Sequence, residues 1–377
     1  MAFDRAAFAD KLRRSKEHLA VDDGEMAVGT GISESRLSIL LAGLAEPTGD
    51  EVLILADFFD CDYKFFISMD KLAAFEQTDS LYRKHGTAFS KQDRRSIQQF
   101  LYLCECEAWL WKTATRRTES FSFTPKGNHF KTHGEQAACE LRKHLGYVDG
   151  EIPSDLFRDL RRIGIHVFRR KLVNSNISGV MIWHPSAGRC ILVNYHEDLY
   201  RQRFTAAHEL AHALMEDSEV NVSFGNDGSN LAEVRANVFA SHYLVPPEFL
   251  KGISVGKGGW TESDLNLWAG KLTVSTMMLR IALKEHGLIT SEQFDELKAS
   301  RAPRNQKIDP EIANESGRTR ERKSALLERG LSFHYVNECM EALRNGDISY
   351  ARAAEMMLIS EHDLPGITAL FAVDGQK

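Results

Sequence analysis

His208-Glu209-Leu210-Ala211-His212 is a segment whose residue types and spacing could hold a metal ion and put it to use. On a helix, positions i and i+4 share a face, so both imidazoles can reach one ion. Glu209 sits beside the first histidine and can reach a water held by that ion. This is the arrangement with which zinc hydrolases activate water. The flanking residues sharpen the reading. Phe204, Ala206, Ala207, Ala211, Ala213 and Leu214 are apolar or small, and Glu209 is the only charge between Arg203 and Glu216. A buried helix that keeps only His, Glu and His as polar groups must satisfy them, and a metal does so.

A catalytic zinc takes three protein ligands and leaves one position for water. Glu233, 21 residues after His212, is the natural third ligand. It starts a second helical stretch, and a helix returning antiparallel would carry its carboxylate over the histidines. Glu216 and Asp217 follow the motif within one turn and would have to fold back on their own helix; Glu219 is a weaker alternative. The donor set favours zinc, with manganese the alternative that availability in the cell would decide.

The elements around the motif can be read from pattern. Arg201–Met215 and Leu231–Leu244 are strong helices, the latter closed by Pro246-Pro247. Before them stand three short apolar runs at 165–168, 179–183 and 190–194, separated by turn residues; these predict a small antiparallel sheet. Helices are expected over 96–112, 135–146 and 156–163, and a helical pair over 262–286. Residues 4–70 read as several short helices with Asp4, Asp22 or Asp23, and Ser33 as caps.

The chain has 377 residues, 43% hydrophobic and 27% charged, the balance of a globular protein with two or three domains. No run approaches the roughly 18 apolar residues of a membrane helix. The start, MAFDRAAFADKLRR, carries acids and no apolar block, unlike a secretory signal. Six scattered cysteines form neither a disulfide framework nor a metal knuckle. They read as reduced thiols of a cytoplasmic protein. The net charge of −6 hides an asymmetry. Residues 1–70 hold 7 Lys/Arg against 14 Asp/Glu, residues 71–170 hold 18 against 12, and residues 301–330 hold 8 against 5.

The stretch from about 135 to 290 resembles the ImmA/IrrE family of zinc metallopeptidases. The residues that carry this are Ile163-Gly164-Ile165-His166-Val167-Phe168, Ile177-Ser178-Gly179 and Ile191-Leu192-Val193-Asn194. They continue through Arg201–Leu214, the spaced set Glu233, Ala236, Asn237, Phe239, Ala240, Leu244 and Pro246, and Leu272-Thr273-Val274-Ser275 with Arg280. The resemblance implies a gluzincin-like fold, a small sheet packed on the motif helix. It implies His208, His212 and Glu233 as zinc ligands and Glu209 as catalytic base. It also implies a substrate: active members cut a helix–turn–helix repressor and so derepress stress, DNA-damage or mobile-element genes. An oxyanion donor is expected, with His242, Tyr243, Arg280 and His184 as candidates.

Residues 6–70 resemble an Xre/Cro-type helix–turn–helix domain, through Met26-Ala27, Gly31-Ile32-Ser33, Leu37-Ser38, Gly43 and Leu53–Phe58. Glu34, Ser35, Arg36 and Ser38 would then face DNA bases or a protein partner. DNA affinity rests on phosphate neutralisation, and this module is acidic. Either it is helped by dimerisation and by the basic segments at 83–95, 112–117 and 301–323, or it docks a protein.

The expected architecture is thus α+β and mostly helical. A helix–turn–helix domain covers 1–70, a helical connection 71–134, the peptidase-like domain 135–300, a polar linker 301–322 and a helical C-terminal module 323–377. Three functions compete. One is a regulatory endopeptidase acting on a repressor, triggered by metal, single-stranded DNA or a small molecule. Another is a transcription factor, bound to a double-stranded operator, that uses the peptidase-like domain as a sensor. The last is an antitoxin-like binding partner. No membrane is involved in any of them, and a dimer is compatible with all.

Overall fold

The computed structural model describes residues 3–59, 61, 63–67, 89–126, 129–215, 220–224, 231–256, 259–297, 307, 309–315 and 317–372. Five helices come first: α1 (Arg5–Leu19), α2 (Asp23–Thr30), α3 (Glu34–Leu41), α4 (Gly49–Phe58) and α5 (Tyr63–Ile67). Their starts are set by side-chain caps. Asp4 accepts from the Ala7 amide, Asp22 forms a reciprocal capping box with Glu25, and Ser33 accepts from Arg36. Their apolar faces close a core of their own around Phe8, Leu12, Met26, Leu37, Leu40, Leu55 and Phe59.

The body of the molecule is built on a four-stranded sheet. Its strands are β1 (His166–Arg170), β2 (Ile177–His184), β3 (Gly188–Asn194) and β4 (Val220–Phe224), in the order β1-β3-β2-β4. The expected antiparallel sheet is corrected to a mixed one. β2 pairs antiparallel with β3 and with β4, but β1 lies parallel to β3, with His166 opposite Cys190 and Phe168 opposite Leu192. The β2–β3 hairpin swings so that β3, not β2, meets β1. β4 was not foreseen. The outer edge of β1 is met by Arg329 in an isolated bridge.

Both faces of the sheet are covered. Val167, Met181, Ile191 and Val193 point to one core, while Phe168, Val180, Ile182, Cys190 and Leu192 point to the other. Side chains alternate along a strand, and burial of both sets explains why the runs look uniformly apolar. On the first face lie α7 (Phe130–His144), α8 (Leu156–Arg162), the motif helix α9 (Leu199–Met215) and α10 (Leu231–Leu244). Next in the chain are α11 (Pro247–Lys251), α12 (Glu262–Leu272), α13 (Thr276–Glu285) and α14 (Ser291–Glu296). The long α6 (Lys91–Thr113) covers the second face. It is joined there by α15 (Gly317–Leu327), α16 (Phe333–Asn345), α17 (Tyr350–Met356) and α18 (Leu364–Ala372), through Tyr335, Val336, Met356 and Leu364. Close contact between α7 and α10 depends on Gly134, where an added methyl would lie 2.6 Å from the Arg235 carbonyl oxygen.

The segment read as a polar linker is tied down in its second half. Asp309 and Glu311 pair with the buried Arg169 of β1, and helix resumes at Gly317. Residues 301–306, 308 and 316 lie outside the described residues, as do residues 68–88. Among the described residues no helix is long and apolar enough to cross a membrane. All six cysteines are free thiols, and Cys139 is the exposed one.

Candidate metal centre

Helix α9 is buried along nearly its whole length, and its polar motif side chains are buried with it and must find partners there. Helix α10 crosses it and brings Glu233 from its first turn onto the same spot. The result is a compact set of three donors. His208 Nε2 lies 3.1 Å from His212 Nε2, and the Glu233 oxygens lie 3.0 Å from His208 Nε2 and 3.2 Å from His212 Nε2. Zinc bonded at 2.0–2.1 Å in a tetrahedron sets its donors about 3.3 Å apart. The three groups therefore fit that ion with little adjustment. Glu216, Asp217 and Glu219 lie outside the described residues.

Asn237, one turn beyond Glu233, fixes the orientation of the first imidazole. Its Oδ1 accepts from His208 Nδ1 at 3.0 Å. An amide oxygen only accepts, so Nδ1 carries the proton and Nε2 turns a lone pair towards Glu233. Two acceptors this close need a cation or a proton between them. Without a metal the proton serves. Burial opposes a charged His208, but its hydrogen bond to Glu233 and the charge of Glu209 raise its pKa above the ordinary value. Burial likewise opposes a charged Glu233, but His208 and His212 overcome it and hold the carboxyl well below the usual range. The sequence signal for this role is the i+4 spacing of Asn237 from Glu233, which puts both on one face of α10.

Glu209 stands near enough to His208 for its charge to help raise that imidazole's pKa; it is fully buried and reaches towards strand β2. Strand β2 passes it at Gly179, the one residue type that fits. A methyl there would stand 2.7 Å from Glu209 Oε1 and 2.6 Å from Thr205 Cγ2. Behind this contact Glu197 ties strand to helix. It accepts from Ser178 Oγ at 2.8 Å, Arg201 Nε at 3.0 Å and Thr205 Oγ1 at 3.3 Å. Burial raises the Glu197 pKa despite these donors.

Residues 160–284 match the family model of the IrrE N-terminal-like domain. That model belongs to the M78 peptidases, so the match supports the ImmA/IrrE resemblance and suggests a peptidase-like function for this part of the chain. The matched residues hold the three donors described above and run from within α8 through the sheet to within α13. No curated protein matches the chain.

The four expected oxyanion candidates are not at this centre. Tyr243 is buried and donates to Asp159 Oδ2 at 2.8 Å. His242 donates Nδ1–H to the Val238 carbonyl and packs edge-on against His286. Arg280 donates to the Leu297 carbonyl at 2.6 Å and covers Phe294. His184 accepts from the Ala187 amide and faces Glu105 on α6, across the sheet. Each is a packing or capping residue where it stands.

The N-terminal surface differs from expectation as well. Glu34, Ser35 and Ser38 are exposed on α3, but Arg36 is clamped. Its Nε and Nη2 donate to the two oxygens of Glu51 at 2.8 Å, and Nη2 also reaches the Glu46 carbonyl. In the first turns of α6, Lys91 pairs with Glu25, and Arg94 and Arg95 cap carbonyls of His18 and Phe58. Arg116 binds Glu338. These cations hold the helical modules together; residues 83–88 lie outside the described residues.

A second group, Glu107, His334 and Glu338, was not anticipated. Glu107 is fully buried, 2.6 Å from His166 Nδ1 and 3.4 Å from Arg161 Nε. Burial opposes its charge, yet the hydrogen bond from His166 and the nearby Arg161 lower its pKa. Arg116 on Glu338 already fills the place a cation would take, and Trp111 Nε1 donates to the same carboxylate at 3.1 Å. This is an ion-pair network joining β1, α6 and α16.

Proposed function

We propose that the chain is a zinc-dependent regulatory endopeptidase, with His208, His212 and Glu233 as ligands and Glu209 as base. Its substrate on this reading is a helix–turn–helix transcriptional repressor, whose cleavage derepresses stress, DNA-damage or mobile-element genes. The observation that carries the peptidase reading is the convergence of three donors at 3.0–3.2 Å beside a buried glutamate. Zinc at this place would supply a positive charge to polarise the scissile carbonyl and lower the pKa of a water. Glu209 takes the proton of the attacking water and delivers it to the leaving amine. Asn237 keeps the His208 lone pair aimed at the centre, and Gly179 leaves the space in which the Glu209 carboxylate sits. The sensor-type transcription factor is disfavoured by Arg36, the only cation of α3, whose guanidinium is committed to Glu51.

The test compares new protein N-termini in stressed cells carrying the wild type or Glu209→Gln. A terminus inside a helix–turn–helix repressor that forms only with the wild type is the expected result. Identical termini in the two strains, across the stresses that induce the gene, would refute the reading.

A further inference from the structure

A groove of about 470 Å³ runs beside the metal centre. Its walls are mainly apolar: Phe204 from α9, Val234 and Val238 from α10, and Met277, Met278 and Ile281 from α13. Two lining residues touch His208. The Phe204 ring lies 6.2 Å from the imidazole, and Asn237 accepts its Nδ1–H at 3.0 Å. Met277 and Ile281 remain 45% and 41% exposed, so the α13 wall stands open to water. The charged lining residues come from the ends of elements, Lys131 at the start of α7, Asp198 and Arg201 at the start of α9 and Glu285 at the end of α13. The volume lies in the range of pockets that bury a small ligand, roughly 300–1,000 Å³. That is room for a large side chain with its adjoining backbone. Apolar walls half exposed to water gain free energy only when an apolar group covers them.

We propose that this groove is the specificity pocket of the metal centre. It seats a bulky apolar side chain, of leucine, methionine or phenylalanine type, from a residue next to the bond that is cut. The proposal rests on the peptidase reading above and adds to it the class of residue recognised. Met277 and Ile281 are the specificity-determining residues, since they form the open wall without touching the ligand set.

The experiment uses the full chain loaded with zinc and titrated calorimetrically with the hydroxamates of glycine, leucine and phenylalanine. All three carry the same metal-binding group and differ in side chain. The leucine and phenylalanine compounds are expected to bind at least roughly tenfold more tightly than the glycine compound. Met277→Asp and Ile281→Asp, both at exposed positions, should each bring that ratio towards one. Zinc content and glycine hydroxamate affinity should stay as in the wild type. Equal affinities for the three compounds in the wild type, or a preference that survives both substitutions, would overturn the pocket alone. Failure of every hydroxamate to bind a protein that holds one zinc would overturn the peptidase reading, and the pocket with it.

Discussion

Replacing Gly179 by alanine puts one methyl group into the space that the Glu209 carboxylate uses. The added carbon would stand 2.7 Å from Glu209 Oε1, 2.9 Å from Glu209 Cγ and 2.6 Å from Thr205 Cγ2, against an ordinary contact of at least 3.4 Å. The deficit at Oε1 is 3.4 − 2.7 = 0.7 Å. Strand β2 is hydrogen-bonded on both sides and cannot retreat easily, so the carboxylate takes up most of the shift. A misplacement of about 1 Å in a reacting group costs about 10²-fold, which sets the expected loss of kcat/KM at roughly 10- to 100-fold. Overpacking should also destabilise the fold by about 1–3 kcal/mol. Zinc should stay at one per chain, because the closest atoms to the added methyl belong to Thr205 and Glu209 and not to His208, His212 or Glu233. The assay is cleavage of the substrate found from new N-termini, with zinc content and melting temperature measured on the same samples. Gly270→Ala is the control: nothing lies within 4 Å of the added methyl on a helix, so activity should not change. A Gly179→Ala protein with wild-type activity and full zinc would refute the claim that β2 holds the base in place.

Other outcomes follow from the same geometry. His208→Ala and Glu233→Ala should lose zinc, while Glu209→Gln should keep it and lose cleavage; one zinc per chain in all three would break the ligand assignment. Asn237→Ala should weaken zinc affinity by about 10- to 100-fold, measured by chelator competition, because the imidazole loses its orienting acceptor. In the N-terminal module, the Arg36 guanidinium holds the Glu51 carboxyl down to about 2 from 4.5. A depressed folded-state pKa means that the pair's contribution is complete above about pH 4.5 and is lost as pH falls towards 2. Melting of the wild type and Glu51→Gln should therefore differ at pH 6 and converge by about pH 2, and a constant gap would contradict the pairing.

The grouping of the three donors was legible because helical spacing is a local property. His208 and His212 share a face by i+4 geometry whatever surrounds them, and Glu233 begins a helix whose apolar pattern requires packing. Asn237 could have been found by the same rule. His242 and Tyr243 could have been set aside by it, since nine and ten residues on from Glu233 turn a side chain well away from its face. Non-local facts were not accessible. The partner of β1 depends on how a hairpin swings, and the fate of Arg36 depends on Glu51 from another helix. The apolar runs at 165–168 and 190–194 promised strands but could not state their relative direction. β4 is five residues long, and its alternation of Val220, Val222 and Phe224 with Asn221 and Ser223 is a strand pattern that could have been read from the sequence.

The sheet faces helices on both sides, and that has a bearing on what a family model delimits. Residues 160–284 include the strands, the motif helix and all three candidate donors, yet not α6 or α15–α18. A fragment cut at those limits would present Phe168, Val180, Ile182 and Leu192 to water, the whole reverse side of the sheet. The stretch that is recognisable by descent is thus smaller than the stretch that can fold. Moving the matched segment between proteins as an independent cassette would also require a cover for its back, and here the cover comes from the two flanks of the same chain.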